Sequence, residues 1–78
     1  MFYTYVLQSG VDKELYVGWT VDLRSRLSKH NKGLVNSTVE RRPLELVYYE
    51  ACKDKKKAID REKYFKSGFG RRFLKSRI

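Results

Sequence analysis

One histidine, one cysteine and one proline occur among 78 residues, and each scarcity removes a class of chemistry. A lone cysteine closes no internal disulfide and builds no cysteine-rich metal cluster. Cys52 lies in an apolar run and is expected to be a small core residue rather than a nucleophile. The single histidine, His30, excludes a multi-histidine zinc site. No serine or cysteine stands beside a histidine as an acyl-transfer nucleophile, and neither a phosphate-cradling P-loop nor a dinucleotide fingerprint is present. No apolar run approaches the roughly 20 residues of a membrane span. The N-terminus lacks the charged and apolar regions of a signal peptide, so the expected location is cytoplasmic.

Acidic residues are also few. Nine Asp and Glu stand against 18 Lys and Arg, a formal net charge of +9. In so short a chain this points to a polyanionic partner, nucleic acid ahead of membrane. The cations are grouped in Arg24–Lys32, Lys53–Lys66 and Arg71–Arg77. Arg24, Lys29, Lys32, Arg41, Arg42, Lys55, Lys56, Lys57, Arg71 and Arg72 are therefore the candidates for holding phosphates. Binding of that kind is strongly salt-dependent.

What is present reads as a single α+β domain spanning residues 1–78, with no internal repeat or linker. Phe2 to Gln8 is aromatic and β-branched, the composition of a strand. Gly10 and Asp12 mark a hairpin loop into a second strand, Leu15 to Trp19. With Leu7 opposite Glu14, Tyr5 faces Tyr16, whereas a one-residue slip separates them. A helix is expected from about Val21, with Thr20 as N-cap and Asp22 in its first turn. Leu23, Leu27, His30 and Leu34 recur at helical spacing and define one face. Gly33 is the expected C′ residue of that helix. The polar stretch Asn31 to Pro43 is long for a connection, and such loops are often functional.

Leu44 to Cys52 is a third strand, with Leu44, Leu46 and Tyr48 on one face and Glu45, Val47 and Tyr49 on the other. Asp54 caps a second helix running to about Ser67 and closed by Gly68. Its first turn carries Lys55, Lys56 and Lys57, which oppose the helix dipole and so hint at an external anion. Glu62 falls in the apolar arc of this helix between Ala58 and Phe65, an expensive place for an unpaired carboxylate. It is either an ion pair with Arg26 or a lysine, or a metal ligand. Phe69 to Ile78 reads as a short basic third helix.

The candidates for chemistry are Tyr5, Tyr16, Arg26, His30 and Glu62, with Gly18 where the backbone can be approached closely. This set suits phosphodiester hydrolysis. One carboxylate can hold a divalent cation that keeps several waters, an arginine can neutralise a phosphate, and a tyrosine or histidine can move a proton. Each also has a structural reading: the tyrosines as sheet aromatics, His30 as a satisfied core histidine, and Arg26 as the partner of Glu62.

The ordered pattern resembles the GIY-YIG nuclease superfamily, in particular its compact single-domain bacterial group and the catalytic domain of excision-repair incision nucleases. Tyr3-Thr4-Tyr5 stands for the first tripeptide and Tyr16-Val17-Gly18 for the second. Arg26, His30 and Glu62 follow in the family's order, and Pro43 to Glu50 resembles its third strand. The resemblance implies a three-stranded antiparallel sheet flanked by helices, one Mg²⁺ or Mn²⁺ on Glu62, and cleavage of DNA, including branched or damaged DNA in repair or recombination. It implies Tyr16 as base or water-orienting group, Tyr5 within the same network, Arg26 on the phosphate and His30 assisting proton transfer or touching the phosphate. Three departures stand out: Tyr3 and Thr4 open the first tripeptide, Trp19 follows the second where some members carry lysine, and no asparagine follows Asn36. Nothing in these 78 residues resembles a base-reading module, so specificity is expected to rest on DNA shape or on weak sequence preference, in a monomer or weak homodimer. The alternatives are a non-catalytic nucleic-acid-binding module with the same fold, and an interaction domain that recruits a nuclease assembly.

Overall fold

The first strand, β1 (Phe2–Ser9), is the centre of the sheet, and its burial shows why. Thr4, Tyr5, Val6 and Leu7 are all buried, so consecutive side chains on both faces are covered, as a central strand between helical layers requires. The computed structural model describes Met1–Ile78. After β1 come β2 (Leu15–Thr20), α1 (Leu23–Asn31), a short 3₁₀ turn (Val39–Arg41), β3 (Leu44–Cys52), α2 (Lys55–Phe65) and α3 (Gly68–Lys75). The strand order is β2-β1-β3, antiparallel throughout. The fold is α+β: a three-stranded antiparallel sheet with three helices.

The two faces have separate cores. On one, Tyr5, Leu7 and Leu44 are buried beneath Leu23 and Leu27 of α1, with Tyr16 and Leu46 beside them. On the other, Val6 and Val17 meet Phe65 of α2 and Leu74 of α3. Phe65, Tyr48 and Phe73 complete this second core, with Phe65 and Phe73 stacked at 5.9 Å and Tyr48 edge-on to Phe65 at 5.8 Å. The buried Thr4 hydroxyl donates to the Ala58 carbonyl at 2.8 Å, tying α2 to the central strand.

Several local expectations change. Tyr5 pairs with Gly18 and Leu7 with Tyr16, a register two residues away from Leu7–Glu14. An even shift preserves the faces, so Tyr5 and Tyr16 stay on one side but become diagonal neighbours instead of facing each other directly. In β3 the strict alternation fails, because Val6 pairs with Tyr48 while Leu7 pairs with Leu46. Val47 is the extra residue of a bulge, and beyond it Tyr48 turns to the α2–α3 face. Asp22, not Thr20, caps α1 by accepting from the Ser25 amide at 3.0 Å, while the Thr20 hydroxyl accepts from the Asp22 amide. The C-terminus of α1 closes at Gly33 (φ +80), where Gly33 N–H meets His30 O and Leu34 N–H meets Lys29 O, a Schellman motif. That turn throws Leu34 outward, and Val35 is buried in its place. Cys52 is half-buried at the end of β3, with its thiol near Asp54 O.

Gly68 does not end α2; it begins α3, after Lys66 has closed one helix and Ser67 has capped the next. The junction depends instead on Gly70. A Cβ there would stand 1.9 Å from Tyr64 O and 2.6 Å from the Phe65 Cα, and backbone cannot yield as a side chain can. Gly70→Ala is therefore expected to cost about 3 kcal/mol of stability by forcing α2 and α3 apart. Urea denaturation would show it, and a loss below about 0.5 kcal/mol, the range of an ordinary surface change, would overturn the assignment.

Candidate active site

Tyr5 brings the site together from the central strand. Its hydroxyl lies 2.9 Å from His30 Nε2 and accepts from Arg26 Nε at 3.4 Å. On the far side of the imidazole, Nδ1 lies 2.7 Å from Thr38 Oγ1. The Thr38 hydroxyl donates to Val35 O at 3.4 Å, so its oxygen accepts from His30 Nδ1–H. Nε2 is then the unprotonated nitrogen and accepts from Tyr5 O–H. One direction runs through the whole chain of bonds: Arg26 to Tyr5, Tyr5 to His30, His30 to Thr38, Thr38 to the backbone.

α1 places Arg26 and His30 one turn apart on the side that covers the sheet. His30 is 0% exposed, and burial together with the nearby Arg26 charge lowers its pKa from 6.5 to about 4. The imidazole is therefore neutral at physiological pH. Its side chain is fully covered, with both ring nitrogens already bonded within the protein. Burial raises the Tyr5 phenol above its ordinary value; the Arg26 hydrogen bond opposes this, while Tyr16 and the Glu62 charge add to it. Tyr5 is 1% exposed, so it too acts through its neighbours.

Tyr16 is the tyrosine that reaches solvent. Its ring lies edge-on to His30 at 5.1 Å and tilted to Tyr5 at 6.5 Å, and its hydroxyl accepts from Ser37 at 3.3 Å. Gly18 makes the approach of these rings possible. A Cβ at that position would be 2.5 Å from the Tyr5 hydroxyl, so the glycine leaves room for Tyr5 to reach His30.

Glu62 arrives from α2, on the opposite layer. It is half-buried and pairs with Lys66 Nζ at 3.4 Å, not with Arg26. No group of three or more potential metal-ligating His, Cys, Asp or Glu residues exists. A lone carboxylate with one exposed lysine partner fits a cation that retains most of its water, as Mg²⁺ does.

The loop from Asn31 to Pro43 contributes more than a connection. Its ends are clamped by the Asn31 side chain, which donates to Leu44 O at 2.9 Å and accepts from Leu44 N at 2.8 Å. Ser9 Oγ donates to Arg41 O at 2.7 Å beneath the 3₁₀ turn. This fixed loop delivers Ser37 and Thr38. Neither emerges from helical or strand periodicity; the only signal is the unusual length of a polar loop in a small domain.

The candidate phosphate-binding cations divide by what they touch. Arg24, Lys29, Lys32, Lys56, Lys57 and Arg71 are exposed. Lys55 lies over the Trp19 ring at 5.3 Å and Arg72 over Phe69 at 5.0 Å. Arg42 donates to Val39 O. Arg41 is engaged by Asp12 at 3.2 Å, so it is a structural ion pair rather than a free phosphate contact.

Two measurements test the buried network. Above pH 6.5 His30 is neutral both folded and unfolded; as the pH falls towards 4, only the unfolded chain takes the proton. Stability should therefore drop by up to about 3 kcal/mol across that window and level off below it. An NMR titration placing His30 near its unperturbed value would contradict this. Thr38→Val keeps the shape but strands the buried Nδ1–H, for an expected loss of about 1–3 kcal/mol. A neutral substitution would mean that Thr38 does not hold the imidazole.

Comparison with known proteins agrees with the geometry. The GIY-YIG catalytic domain model matches residues 1–75. A UPF0213 protein of Streptococcus pyogenes serotype M3 is 46% identical over 65 residues, covering 82% of this chain and 70% of that protein. One from Clostridium perfringens is 42% identical over 67 residues, covering 85% and 71%. The solution NMR structure of a UPF0213 protein from Bacillus halodurans superposes with a TM-score of 0.60 at 32% identity, covering 97% of this chain and 84% of that one. Membership of such a domain family implies nuclease-type chemistry on nucleic acid. With its tyrosines on the sheet, its arginine and histidine on α1 and its glutamate on α2, the chain belongs to the GIY-YIG catalytic domain family.

Proposed function

We propose that the chain is a divalent-cation-dependent endonuclease that hydrolyses phosphodiester bonds in DNA, directed by DNA shape or by weak sequence preference. The observation that supports this reading is the buried Tyr5–His30–Thr38 line with Arg26 bonded to the Tyr5 hydroxyl and the Tyr16 ring beside both Tyr5 and His30. Glu62 lies near enough for its charge to help raise the Tyr5 pKa. Glu62 would hold one Mg²⁺ or Mn²⁺, which when bound supplies positive charge at the scissile phosphate. Arg26 uses Nε to orient Tyr5, and its terminal amino groups are left to meet a phosphate oxygen. Tyr16, held by Ser37 and the edge of His30, orients the attacking water or accepts its proton. His30 is a positioning residue: it fixes Tyr5, and Tyr5 fixes Arg26. The exposed cations of α1, α2 and α3 hold the remaining phosphates without reading bases.

Cleavage of plasmid, single-stranded and branched DNA with Mg²⁺ or Mn²⁺ tests this directly. Glu62→Ala is expected to abolish cleavage while DNA binding falls less than threefold, and Tyr16→Phe should lower the rate by about 10²-fold or more. Undiminished cutting by Glu62→Ala would refute the assignment. Salt-sensitive binding with no cutting by the unmodified chain would identify a binding module on the same fold.

A further inference from the structure

Beside the catalytic cluster, along the outer edge of β2, runs a groove of about 620 Å³ between that strand and α3. It has two chemically distinct parts. Leu15 and Val17 of β2, Phe65 of α2 and Leu74 of α3 give it an apolar floor. Lys13, Lys66, Arg71 and Lys75 give it a cationic rim, against one carboxylate, Glu14. Arg71 and Lys75 are one turn apart on α3 with Leu74 turned inward between them, so a single helical face supplies both rim and floor.

The groove joins the site already described. Tyr16 and Lys66 belong to its lining, and Lys66 is the ion-pair partner of Glu62. Three salt bridges exist in the chain: Arg41–Asp12, Arg61–Glu50 and Lys66–Glu62. Lys13, Arg71 and Lys75 therefore line an apolar groove with no carboxylate paired to any of them.

We propose that this groove receives an unpaired stretch of the nucleic-acid substrate next to the scissile phosphate, an inference that rests on the nuclease reading of the neighbouring cluster. Paired bases keep their faces stacked, so a duplex offers a protein phosphates and base edges only. An unpaired nucleotide presents an apolar base face and a phosphate within a short span, and the groove offers an apolar floor and a cationic rim across the same distance. An acidic peptide would also match the charge. A strand of nucleic acid is favoured because Tyr16, the group proposed to act on the attacking water, is itself part of the groove lining. The substrates that fit are duplexes carrying a flap, bubble or branch, in preference to uninterrupted duplex.

The test uses the full chain in EDTA, so that binding is read apart from cleavage. Fluorescein-labelled oligothymidine and a blunt duplex of equal length are titrated separately, and methyl resonances are followed by NMR. Oligothymidine is expected to shift the methyls of Leu15, Val17 and Leu74. Arg71→Glu with Lys75→Glu should weaken oligothymidine binding about tenfold beyond the effect of Lys53→Glu with Lys63→Glu, the same charge change outside the groove. Should the reversed-charge variant fail to fold, the methyl shifts of the unmodified chain decide the matter. Shifts absent from those methyls would overturn the proposal, as would duplex producing them equally well or polyglutamate producing them at lower concentration. Oligothymidine seated in the groove of a chain that never cuts would count against the nuclease reading alone. Cutting with no seating would count against the groove alone.

Discussion

The bond between Tyr5 and His30 is the constraint from which the rest of the site follows. It joins the central strand to α1, and through Thr38 it draws in the loop that follows. Because the imidazole is sealed from water, protonating it would place an uncompensated charge beside Arg26, and the neutral form is held well below the usual histidine range. Thr38, whose own hydroxyl hydrogen goes to Val35 O, fixes the tautomer of the neutral ring. The tautomer fixes the direction of every hydrogen bond in the line, and that direction presents the Tyr5 oxygen to Arg26. A buried network with all its members satisfied is rigid, and no buried side-chain nitrogen or oxygen in the protein lacks a partner. Rigidity of this kind lets a domain with little core hold an arginine and a solvent-reaching tyrosine in a set relation.

The basic composition is divided between architecture and surface. Arg61 reaches Glu50 through two bonds, of 2.7 and 3.1 Å, and lies over the Phe65 ring at 4.7 Å, so it belongs to the packing of α2 on β3. Arg41 is taken up by Asp12 beneath the hairpin. The cations without such partners lie outside the framework, on α1, the start of α2 and α3. Lys55 to Lys57 are the instructive case. They oppose the dipole of the helix they begin, Asp54 caps that helix through two backbone amides, and the lysine side chains remain exposed. The cap satisfies the helix while the lysines serve the surface field.

The elements themselves were legible in the sequence because they rest on local rules. Alternation gave three strands within a residue or two of their bounds, and Asp54 and Gly33 marked helix ends through capping chemistry that acts over one turn. The family pattern, an ordered set of tyrosines, arginine, histidine and glutamate, was likewise written along the chain. Local rules failed where two plausible residues competed for one role, as with Asp22 over Thr20 at the start of α1. They failed again where a turn re-aimed the chain, as with Leu34 outward and Val35 inward.

What only the tertiary structure decided are relations between segments far apart in sequence. The register of β1 on β2, the bulge at Val47 and the seating of Thr38 against His30 leave no trace in periodicity. Each depends on which side chains meet once the layers close, and closing is governed by burial and hydrogen-bond satisfaction summed over the whole domain. The sequence by itself determined the composition of the site and the strands and helices that carry it. Its wiring was set by the folded core, where a neutral histidine had to find two partners and the available ones lay on a strand and in a loop.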